Sequence, residues 1–355
     1  MMVSDDVVFM QRALELAALG RGSVSPNPMV GCVIVHNGLI VGEGWHQRYG
    51  QAHAEVNAVN LVKDPSILSE STAYVTLEPC SHFGKTPPCA DLLIKHQLKK
   101  VVICNEDPFP LVAGKGIKKL QEAGIEVETG FLAEEGRRLN RRFFTMVEQH
   151  RPYVILKWAE TADGFIAKEN FEAVKISNDF SQMYSHKWRS EEDAIMVGTN
   201  TAHFDNPSLT VRNWLGRNPI RVVLDKNGRL SPNLNIFNGD SKTIVITSIK
   251  DSSSGFTIPT QIISDLQSEV IEVEFNENLI ENILQKLHEN KIQSLIVEGG
   301  KQLLQSFIES GLYDEIRLFK SNFQLKSGIL APNINFEHIK SIEKITDEFS
   351  IYHRF

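Results

Sequence analysis

The hydrophobic pattern of the first half of the chain alternates between helical and strand spacing. Residues 7–18 carry apolar positions at helical spacing, and residues 30–35 form an apolar run typical of a buried strand. Asn37-Gly38 favours a hairpin turn into a second strand over 39–45. Further strands are predicted at 72–77, 100–104 and 125–128, and helices at 54–62, 90–96, 115–123 and 134–148. This alternation predicts an α/β layered domain with a largely parallel part.

The polar, proline-ended stretch from Gln149 to Pro152 interrupts this pattern and is the predicted domain boundary. Beyond it, strands are predicted at 153–157, 194–198, 220–224, 243–247, 292–297 and 315–319, helices at 179–190, 277–289 and 302–310, and a loop at Ser252–Gly255. The chain has 355 residues, about twice the length of a typical domain. We therefore predict two α/β domains, 1–148 and 151–355.

Composition narrows the classes of protein to consider. Apolar residues make up 42% and charged residues 23%, as in ordinary globular proteins. The net charge of −7 disfavours nucleic acid as a partner, because proteins that bind it usually carry a basic surplus. Four cysteines are too few for a disulfide scaffold, no basic leader begins the chain, and no apolar run is long enough to span a membrane. We expect a cytoplasmic protein with no membrane partner.

Two of the four cysteines belong to a candidate metal site. His53-Ala-Glu55 lies where a loop enters a predicted helix, Cys80 follows Glu78-Pro79 after a predicted strand, and Cys89 comes nine residues later. One imidazole and two thiolates suit Zn²⁺, and three protein ligands leave a fourth position open, as catalytic zinc sites do. Zinc lowers the pKa of a bound water to about 7, and Glu55 would then shuttle protons.

His-x-Glu followed by Pro-Cys is the known signature of zinc-dependent base deaminases. A structural zinc site, or buried thiols without a metal, are the simpler alternatives for this group. Cys32 and Cys104 lie inside apolar runs and are expected to be core residues.

In the second half, no Gly-x-Gly-x-x-Gly follows a predicted strand, so the pattern does not indicate a Rossmann site. Glu298-Gly299-Gly300-Lys301 instead joins a predicted strand to a predicted helix. Such a junction offers backbone N–H groups and a helix N-terminus to a pyrophosphate. A generic strand–turn–helix junction explains the same residues equally well.

Several motifs resemble the family of bifunctional riboflavin-biosynthesis deaminase/reductases: SPNPMVG at 25–31, HAE at 53–55, TLEPCSHFGKTPPC at 76–89 and VAGKG at 112–116. The long loop between the two cysteines distinguishes that family from cytidine and tRNA adenosine deaminases. The resemblance implies a cytidine-deaminase-like three-layer domain followed by a dihydrofolate-reductase-like α/β domain. It also implies zinc-dependent deamination of 2,5-diamino-6-(5-phosphoribosylamino)pyrimidin-4(3H)-one and NADPH-dependent reduction of its ribosyl group to ribityl. The implied partners are this small phosphorylated pyrimidine and further copies of the chain, in a homodimer or higher homo-oligomer.

The resemblance also assigns roles to individual residues. In the first domain the zinc ligands are His53, Cys80 and Cys89, the catalytic residue is Glu55, and the substrate-binding residues are Asn27, His46, His82 and Lys85. In the second domain the catalytic residues are Lys157, Asp205 and Glu298, and the substrate-binding residues are Arg189, Leu209 and Arg212. The cofactor-binding residues are Glu160, Lys175, Thr201, Asp205, Gly299, Gly300 and Lys301.

Two features depart from the family pattern. Lys175 stands where an aromatic side chain usually stacks on the cofactor, and residues 319–326 lack the usual Pro-Lys and paired glycines.

Each role has a plainer alternative. Asn27, Asp163-Gly164 and Asp205-Asn-Pro are also good turn sequences. His46, His82 and Lys85 would then be exposed loop residues, and Lys157 a surface lysine. Two other functions follow from these alternatives: a deaminase of nucleic-acid bases, or a zinc base or nucleoside deaminase whose second domain senses a ligand or mediates oligomerisation without catalysis.

Overall fold

The chain folds into two units in the computed structural model, Met1–Gln149 and His150–Phe355. The structure describes residues 5–83, 87–109, 112–172, 174–248, 268–346 and 348–354. The predicted loop at Ser252–Gly255 lies outside these ranges. Within them, no helix is both long enough and apolar enough to cross a bilayer.

The first unit is a mixed sheet with helices on both faces. Its elements are α1 (Asp5–Ala18), β1 (Gly31–His36), β2 (Leu39–Trp45), α2 (Ala54–Asn60), a 3₁₀ helix (Pro65–Glu70), β3 (Thr72–Leu77), α3 (Cys89–Lys95), β4 (Lys100–Asn105), α4 (Lys115–Glu122), β5 (Glu126–Thr129), α5 (Ala133–Leu139) and α6 (Arg141–Gln149). The described strands lie in the order β2-β1-β3-β4-β5. Strand β1 is antiparallel to both neighbours, and β3, β4 and β5 run parallel.

Alternating side chains of β1 enter two separate hydrophobic clusters. Cys32 and Ile34 pack with Ala54 and Ala58 of α2, whereas Val33 packs on the opposite face with residues of α1. A strand directs successive side chains to opposite faces, so an apolar run such as 31–35 requires cover on both sides. The result is the three-layer arrangement that the sequence predicts.

The single helix predicted over residues 134–148 is wrong, because the chain breaks it at Asn140 between α5 and α6. The buried Asn140 amide exchanges two hydrogen bonds with Met29: its Oδ1 accepts from the backbone N–H, and its Nδ2 donates to the carbonyl oxygen, each at 2.8 Å. This amide fixes the segment that leads into β1, and Asn140 is the one residue between the end of α5 at Leu139 and the start of α6 at Arg141.

The second unit is built on a longer sheet. Its elements are β6 (Tyr153–Glu160), β7 (Phe165–Ala167), α7 (Asp179–Glu191), β8 (Ala194–Gly198), α8 (Thr199–Asp205), β9 (Ile220–Leu224), a 3₁₀ helix (Asn235–Phe237), β10 (Thr243–Ser248), β11 (Ser268–Val273), α9 (Leu279–Glu289), β12 (Ser294–Val297), α10 (Lys301–Ser310), β13 (Glu315–Lys320), β14 (Ile329–Leu330), a 3₁₀ helix (Phe336–His338), β15 (Ser341–Thr346) and β16 (Phe349–His353). The described strands of the main sheet lie in the order β11-β10-β9-β8-β12-β6-β13-β16-β15, and β7 pairs separately with β14.

Strands β6, β8, β12 and β13 run parallel at the centre of this sheet. Val154 and Leu156 of β6 enter one hydrophobic cluster with α9 and α10, and Ile155 enters another with Trp188 of α7, so both faces are covered. The carboxyl ends of neighbouring parallel strands meet at one edge, where α/β sheets bind ligands. Lys157 near the end of β6 and Glu298 just after β12 are therefore brought together.

Several elements of the second unit were not predicted, among them α8, β11, β15 and β16. Strand β15 is exposed along most of its length, so it lacks the alternation of polar and apolar residues that identifies a half-buried strand. Helix α8 has seven residues, only one of which is buried, so it shows no helical stripe.

Candidate functional site

The first unit contains a cavity of about 360 Å³ that brings the predicted deaminase residues together. Six of them line it: Asn27, His46, His53, Glu55, Cys80 and His82. Cys89 is fully buried beside His53. Lys85 lies outside the residues that the structure describes.

Three elements supply the three candidate metal ligands. His53 directly precedes α2, Cys80 follows β3, and Cys89 begins α3. The His53 Nδ1 atom lies 3.6 Å from the Cys80 sulfur and 3.3 Å from the Cys89 sulfur. All three ligand atoms lie within 4.8 Å of one another.

This geometry fits a tetrahedral zinc ion. Zn–S and Zn–N bonds of ordinary length at tetrahedral angles separate the nitrogen from each sulfur by about 3.5 Å. The hydrogen bond between the two thiols, with one from His53, lowers the pKa of Cys80 to about 4 and raises the pKa of Cys89, so the pair favours one thiolate without a metal, and zinc would be needed to hold both as thiolates. His53, Cys80 and Cys89 are thus suited to hold Zn²⁺.

Glu55 lies in the first turn of α2, two residues after His53, and lines the same cavity. Its side chain is almost completely buried. Burial, with the nearby charge of Cys80, raises the pKa of Glu55 to about 7. Within the described residues its Oε2 atom has no hydrogen-bond partner. A carboxyl group in this setting can exchange a proton near neutral pH.

His46 and Asn27 are hydrogen-bonded to each other at the cavity wall. His46 is 3% exposed, which excludes the alternative of an exposed loop residue. Its Nδ1 lies 3.1 Å from the Ala52 carbonyl oxygen, which only accepts, so Nδ1 carries the proton. The Nε2 atom then accepts from the Asn27 amide at 3.3 Å. His82 is exposed at the cavity.

In the second unit, Lys157, Arg189 and Glu298 form a buried charged cluster. The Arg189 guanidinium donates to the Glu298 carboxylate at 2.8 and 3.2 Å, and the Lys157 Nζ atom lies 3.9 Å from it. Burial raises the pKa of Glu298, but the charges of Arg189 and Lys157 outweigh it and lower that pKa to about 2. Burial also lowers the pKa of Lys157, which is not a surface lysine.

The two predicted substrate arginines meet at Thr210. Arg189 donates to the Thr210 carbonyl oxygen at 3.3 Å, and Arg212 donates to its hydroxyl at 3.1 Å. The Leu209 side chain packs in a hydrophobic cluster that includes Ala202, so a substrate contact there would come from its backbone.

The glycine pair between β12 and α10 is shaped by Thr201 of α8. Gly300 has φ +71°, a conformation that side chains disfavour. A Cβ atom on Gly299 would lie 3.0 Å from the Thr201 side chain. The next residue, Lys301, begins α10, so the strand–glycine–helix junction fits a pyrophosphate group.

The other predicted reductase residues have partners of different kinds. Glu160 accepts from the Trp158 indole at 3.1 Å, and Lys175 pairs with Asp179 at 2.7 Å on the surface. Asp205 is the last residue of α8, and within the described ranges no hydrogen bond or ion pair joins it to the charged cluster. The roles of Glu160, Lys175 and Asp205 stay predictions.

Two protein-family models match the chain. The cytidine and deoxycytidylate deaminase zinc-binding region matches residues 3–105, and the RibD C-terminal domain matches residues 152–322.

Known proteins match almost the whole chain. The riboflavin biosynthesis protein RibD of Aquifex aeolicus (strain VF5) is 38% identical over 341 residues, covering 96% of this chain and 93% of that protein. The chain belongs to the RibD family. RibD of Escherichia coli (strain K12) is 36% identical over 329 residues, covering 88% and 87% of the two chains.

Solved RibD structures share the fold over its full length. A diaminohydroxyphosphoribosylaminopyrimidine deaminase/5-amino-6-(5-phosphoribosylamino)uracil reductase from Thermotoga maritima superposes with a TM-score of 0.83 at 35% identity, covering 98% of this chain and 97% of that one. RibD of Acinetobacter baumannii superposes with a TM-score of 0.86 at 34% identity, covering 98% of each chain.

Membership of the RibD family confirms the predicted fold class and the predicted bifunctional activity. The chain is a riboflavin-biosynthesis enzyme with a cytidine-deaminase-like zinc-binding domain and a dihydrofolate-reductase-like reductase domain. These matches favour the bifunctional reading over the alternative of a second domain without catalytic function.

The deaminase cavity also contains acidic residues that the sequence pattern did not mark as site residues. Glu78 and Asp107 both line it. Glu78 directly follows β3, and Asp107 lies two residues after β4, the parallel neighbour of β3. Acidic residues at the carboxyl ends of neighbouring parallel strands are a signal that could have identified both.

Proposed function

We propose that residues 1–148 deaminate 2,5-diamino-6-(5-phosphoribosylamino)pyrimidin-4(3H)-one and that residues 151–355 reduce the ribosyl group of the product to ribityl with NADPH. The observation that carries this proposal is the ligand group of His53, Cys80 and Cys89 beside a cavity that Glu55 lines. The name of the Thermotoga maritima relative, a deaminase and reductase of such pyrimidines, supports the substrate class.

Glu55 is the proposed acid–base group of the deaminase. Zinc, when bound, supplies a polarised water that is nucleophilic near neutral pH. Glu55 accepts a proton from the attacking water and donates a proton to the departing amino group. Water thus adds at the ring carbon that bears the 2-amino group, the bond from this carbon to that nitrogen breaks, and the products are ammonia and the corresponding 5-aminouracil.

Asn27, His46, His82 and Lys85 are proposed to orient the substrate for this step. The Nδ1 proton of His46 is committed to the Ala52 carbonyl oxygen, so His46 acts through its Nε2 atom and through Asn27. Lys85 supplies a cation for the substrate phosphate.

In the reductase, Arg189 and Arg212 are proposed to bind the phosphate of the substrate, because both guanidinium groups converge on Thr210. Thr201, Gly299, Gly300 and Lys301 would hold the pyrophosphate of NADPH, which supplies the hydride when bound. Lys157, Glu298 and Asp205 are proposed to control the proton at the sugar oxygen as the ring opens. The Glu298 carboxylate keeps Lys157 and Arg189 in place.

Two variants test these assignments as a pair. Glu55→Gln should keep its zinc but lose at least about 100-fold in ammonia release, since the acid–base group is gone. It should still reduce pre-deaminated substrate at the normal rate. Asp205→Asn should show the reverse, with normal ammonia release and slow NADPH oxidation. Normal deamination by Glu55→Gln would contradict the proposed mechanism. Unchanged NADPH oxidation by Asp205→Asn would show that Asp205 is not part of the reductase site.

A homodimer or higher homo-oligomer is proposed from the family resemblance. Sedimentation equilibrium of the full chain tests it, and a monomer at micromolar concentration would contradict it.

A further inference from the structure

Glu78 occupies an unusual place beside the deaminase cavity. It directly follows β3, precedes the ligand Cys80 by two residues, and is 4% exposed. Its backbone N–H donates to the carbonyl oxygen of Asn105, the last residue of β4, at 2.9 Å. A buried carboxylate is costly unless hydrogen bonds satisfy it, so its partners show what it does.

Four backbone N–H groups of a single stretch of chain satisfy the Glu78 carboxylate. Oε2 accepts from Asp107 at 3.3 Å and from Gly114 at 3.0 Å. Oε1 accepts from Gly116 at 2.8 Å and from Ile117 at 3.3 Å. The carboxylate thus binds the residues that leave β4 and those that enter α4, and its charge also suits the N-terminus of α4.

Three residues near these anchor points, Asp107, Phe109 and Val112, form one wall of the cavity. The three residues of this wall are also hydrogen-bonded to one another. The Phe109 N–H donates to the Asp107 carboxylate, and the Val112 N–H donates to the Phe109 carbonyl oxygen, both at 2.8 Å. Its position relative to the zinc ligands therefore depends on how its two ends are held.

The start of α4 also packs directly on the segment that carries Cys80. A Cβ atom on Gly116 would lie 2.0 Å from the Pro79 carbonyl oxygen, so only glycine permits this approach. Together with the Glu78 bonds, this contact sets the distance between the wall and the metal ligands.

We infer that Glu78 is a positioning residue of the deaminase, which holds the wall of Asp107, Phe109 and Val112 against the substrate and does not take part in metal binding. This inference rests on the deaminase reaction proposed above. Within the described residues, the hydrogen bonds of its carboxylate go to backbone N–H groups of the wall and of α4, and none goes to His53, Cys80 or Cys89. Loss of the carboxylate should therefore weaken substrate binding and leave zinc in place.

Glu78→Gln tests this in the full-length enzyme. The substituted amide has the same shape, but its NH₂ group faces N–H donors, so at least one pair of hydrogen bonds is lost. We expect KM for the diaminopyrimidinone to rise about tenfold or more, the effect of losing one charge-assisted hydrogen bond. We expect kcat to change less than about threefold, with zinc content and NADPH-dependent reduction unchanged. Glu78→Asp keeps the charge, so its KM should lie between that of the wild type and that of Glu78→Gln.

Asp64→Asn provides a matched control in the same unit. Asp64 also uses its carboxylate to accept a backbone N–H, from Ser66 at 3.0 Å, where it caps a 3₁₀ helix outside the cavity lining. The same chemical change there should leave KM and kcat as they are.

A second pair of variants reaches the wall from its other end, in case Glu78→Gln does not fold. Gly114 has φ +72° and nothing within 4 Å of an added Cβ atom, so substitutions there act on the backbone alone. Gly114→Val disfavours this conformation and should raise KM, whereas Gly114→Asn tolerates it and should not.

Hydrogen exchange separates failure of this inference from failure of the proposed substrate. In Glu78→Gln the amides of Asp107, Gly114, Gly116 and Ile117 should exchange faster, while those of α1 stay as protected as before. Faster exchange with no wild-type turnover of the diaminopyrimidinone would reject the substrate and keep the positioning role. Unchanged exchange, unchanged KM in a folded, zinc-loaded variant, or loss of zinc in proportion to kcat would overturn the inference.

Discussion

At the scale of single residues, the reductase site depends on how three buried charges balance. Glu298 accepts two hydrogen bonds from Arg189 and lies 3.9 Å from the Lys157 ammonium. Removing one member of a buried charged group costs more than the group contributes, because the remaining charges lose their partner in a region of low dielectric. Glu298 is therefore as important for folding as for the proposed chemistry.

Replacing Glu298 should make this dependence visible as a function of pH. In Glu298→Gln we expect the free energy of unfolding of the second unit to fall by about 3–5 kcal/mol at neutral pH. The folded pKa of about 2 lies below the ordinary value of 4.5, so the contribution is complete above pH 4.5 and is lost as the pH falls towards 2. Denaturant unfolding across this pH range should show that the difference in unfolding free energy between wild type and variant becomes smaller as the pH falls.

Glu289→Gln is the matched control for that measurement. Glu289 pairs with Lys286 at 2.9 Å on an exposed helix face, and such pairs contribute less than about 1 kcal/mol. If the difference in unfolding free energy between wild type and Glu298→Gln stayed constant down to pH 2, the charge of the Glu298 carboxylate would not be its cause.

The sequence identified residues whose side-chain chemistry is itself the signal. His53, Cys80 and Cys89 were predicted as a group because zinc needs nitrogen and sulfur donors, and the structure brings their ligand atoms within 4.8 Å. Glu78 was not identified, because its partners are backbone N–H groups that every residue except proline has. The signal that remains is its position, at the carboxyl end of β3 and beside Asp107 after the parallel strand β4.

At the scale of elements, glycines on β2 determine where α2 lies. Added Cβ atoms would come within 2.3 Å of the Ala58 carbonyl oxygen at Gly42 and within 2.4 Å of the Ala54 carbonyl oxygen at Gly44. Helix α2 therefore rests directly on the backbone of the strand. Because α2 carries Glu55 and begins after His53, this close packing places both groups of the deaminase site.

Gly44→Ala should displace α2 and impair deamination selectively. A methyl group there forces the helix away from the strand by about 1 Å, and displacements of this size in a catalytic group cost about 100-fold in rate. We expect at least a tenfold loss of ammonia release, with reduction of pre-deaminated substrate unchanged. Overpacking should also lower the unfolding free energy of the first unit by about 1–3 kcal/mol.

Gly38→Asn is the control for this substitution. Gly38 lies in the β1–β2 turn at φ +75° with nothing within 4 Å of an added Cβ atom, and asparagine tolerates that conformation. Equal loss of activity in the two variants would mean that contact with α2 is not the cause.

Elements were predictable where an uninterrupted apolar run or a clear period marks them. Strands β2, β3, β8 and β9 have the bounds that the hydrophobic pattern predicts. The pattern does not reveal the break at Asn140, since asparagine is tolerated inside a helix and its bonds to Met29 lie 111 residues away in sequence. It likewise misses the exposed strand β15.

At the scale of the whole molecule, the two chemistries are assigned to separate units. The ligand group and Glu55 belong to Met1–Gln149, and the charged cluster and glycine pair belong to His150–Phe355. Each unit has its own hydrophobic clusters. Because each of these sets of side chains lies within one unit, we expect a perturbation of one site to leave the other reaction intact.

Metal removal is the most direct test of that independence. Binding of zinc stabilises the folded state that holds it, so a chelator should lower the unfolding temperature of the first unit only. Calorimetry of the full chain should then show the unfolding transition of the first unit moving to lower temperature. The transition of the second unit, the reductase, should keep its temperature. Ammonia release should stop, while NADPH oxidation with pre-deaminated substrate continues at the wild-type rate. Added Zn²⁺ should reverse both changes, and loss of reduction on chelation would show that the reductase also depends on the metal-bound form of the first unit.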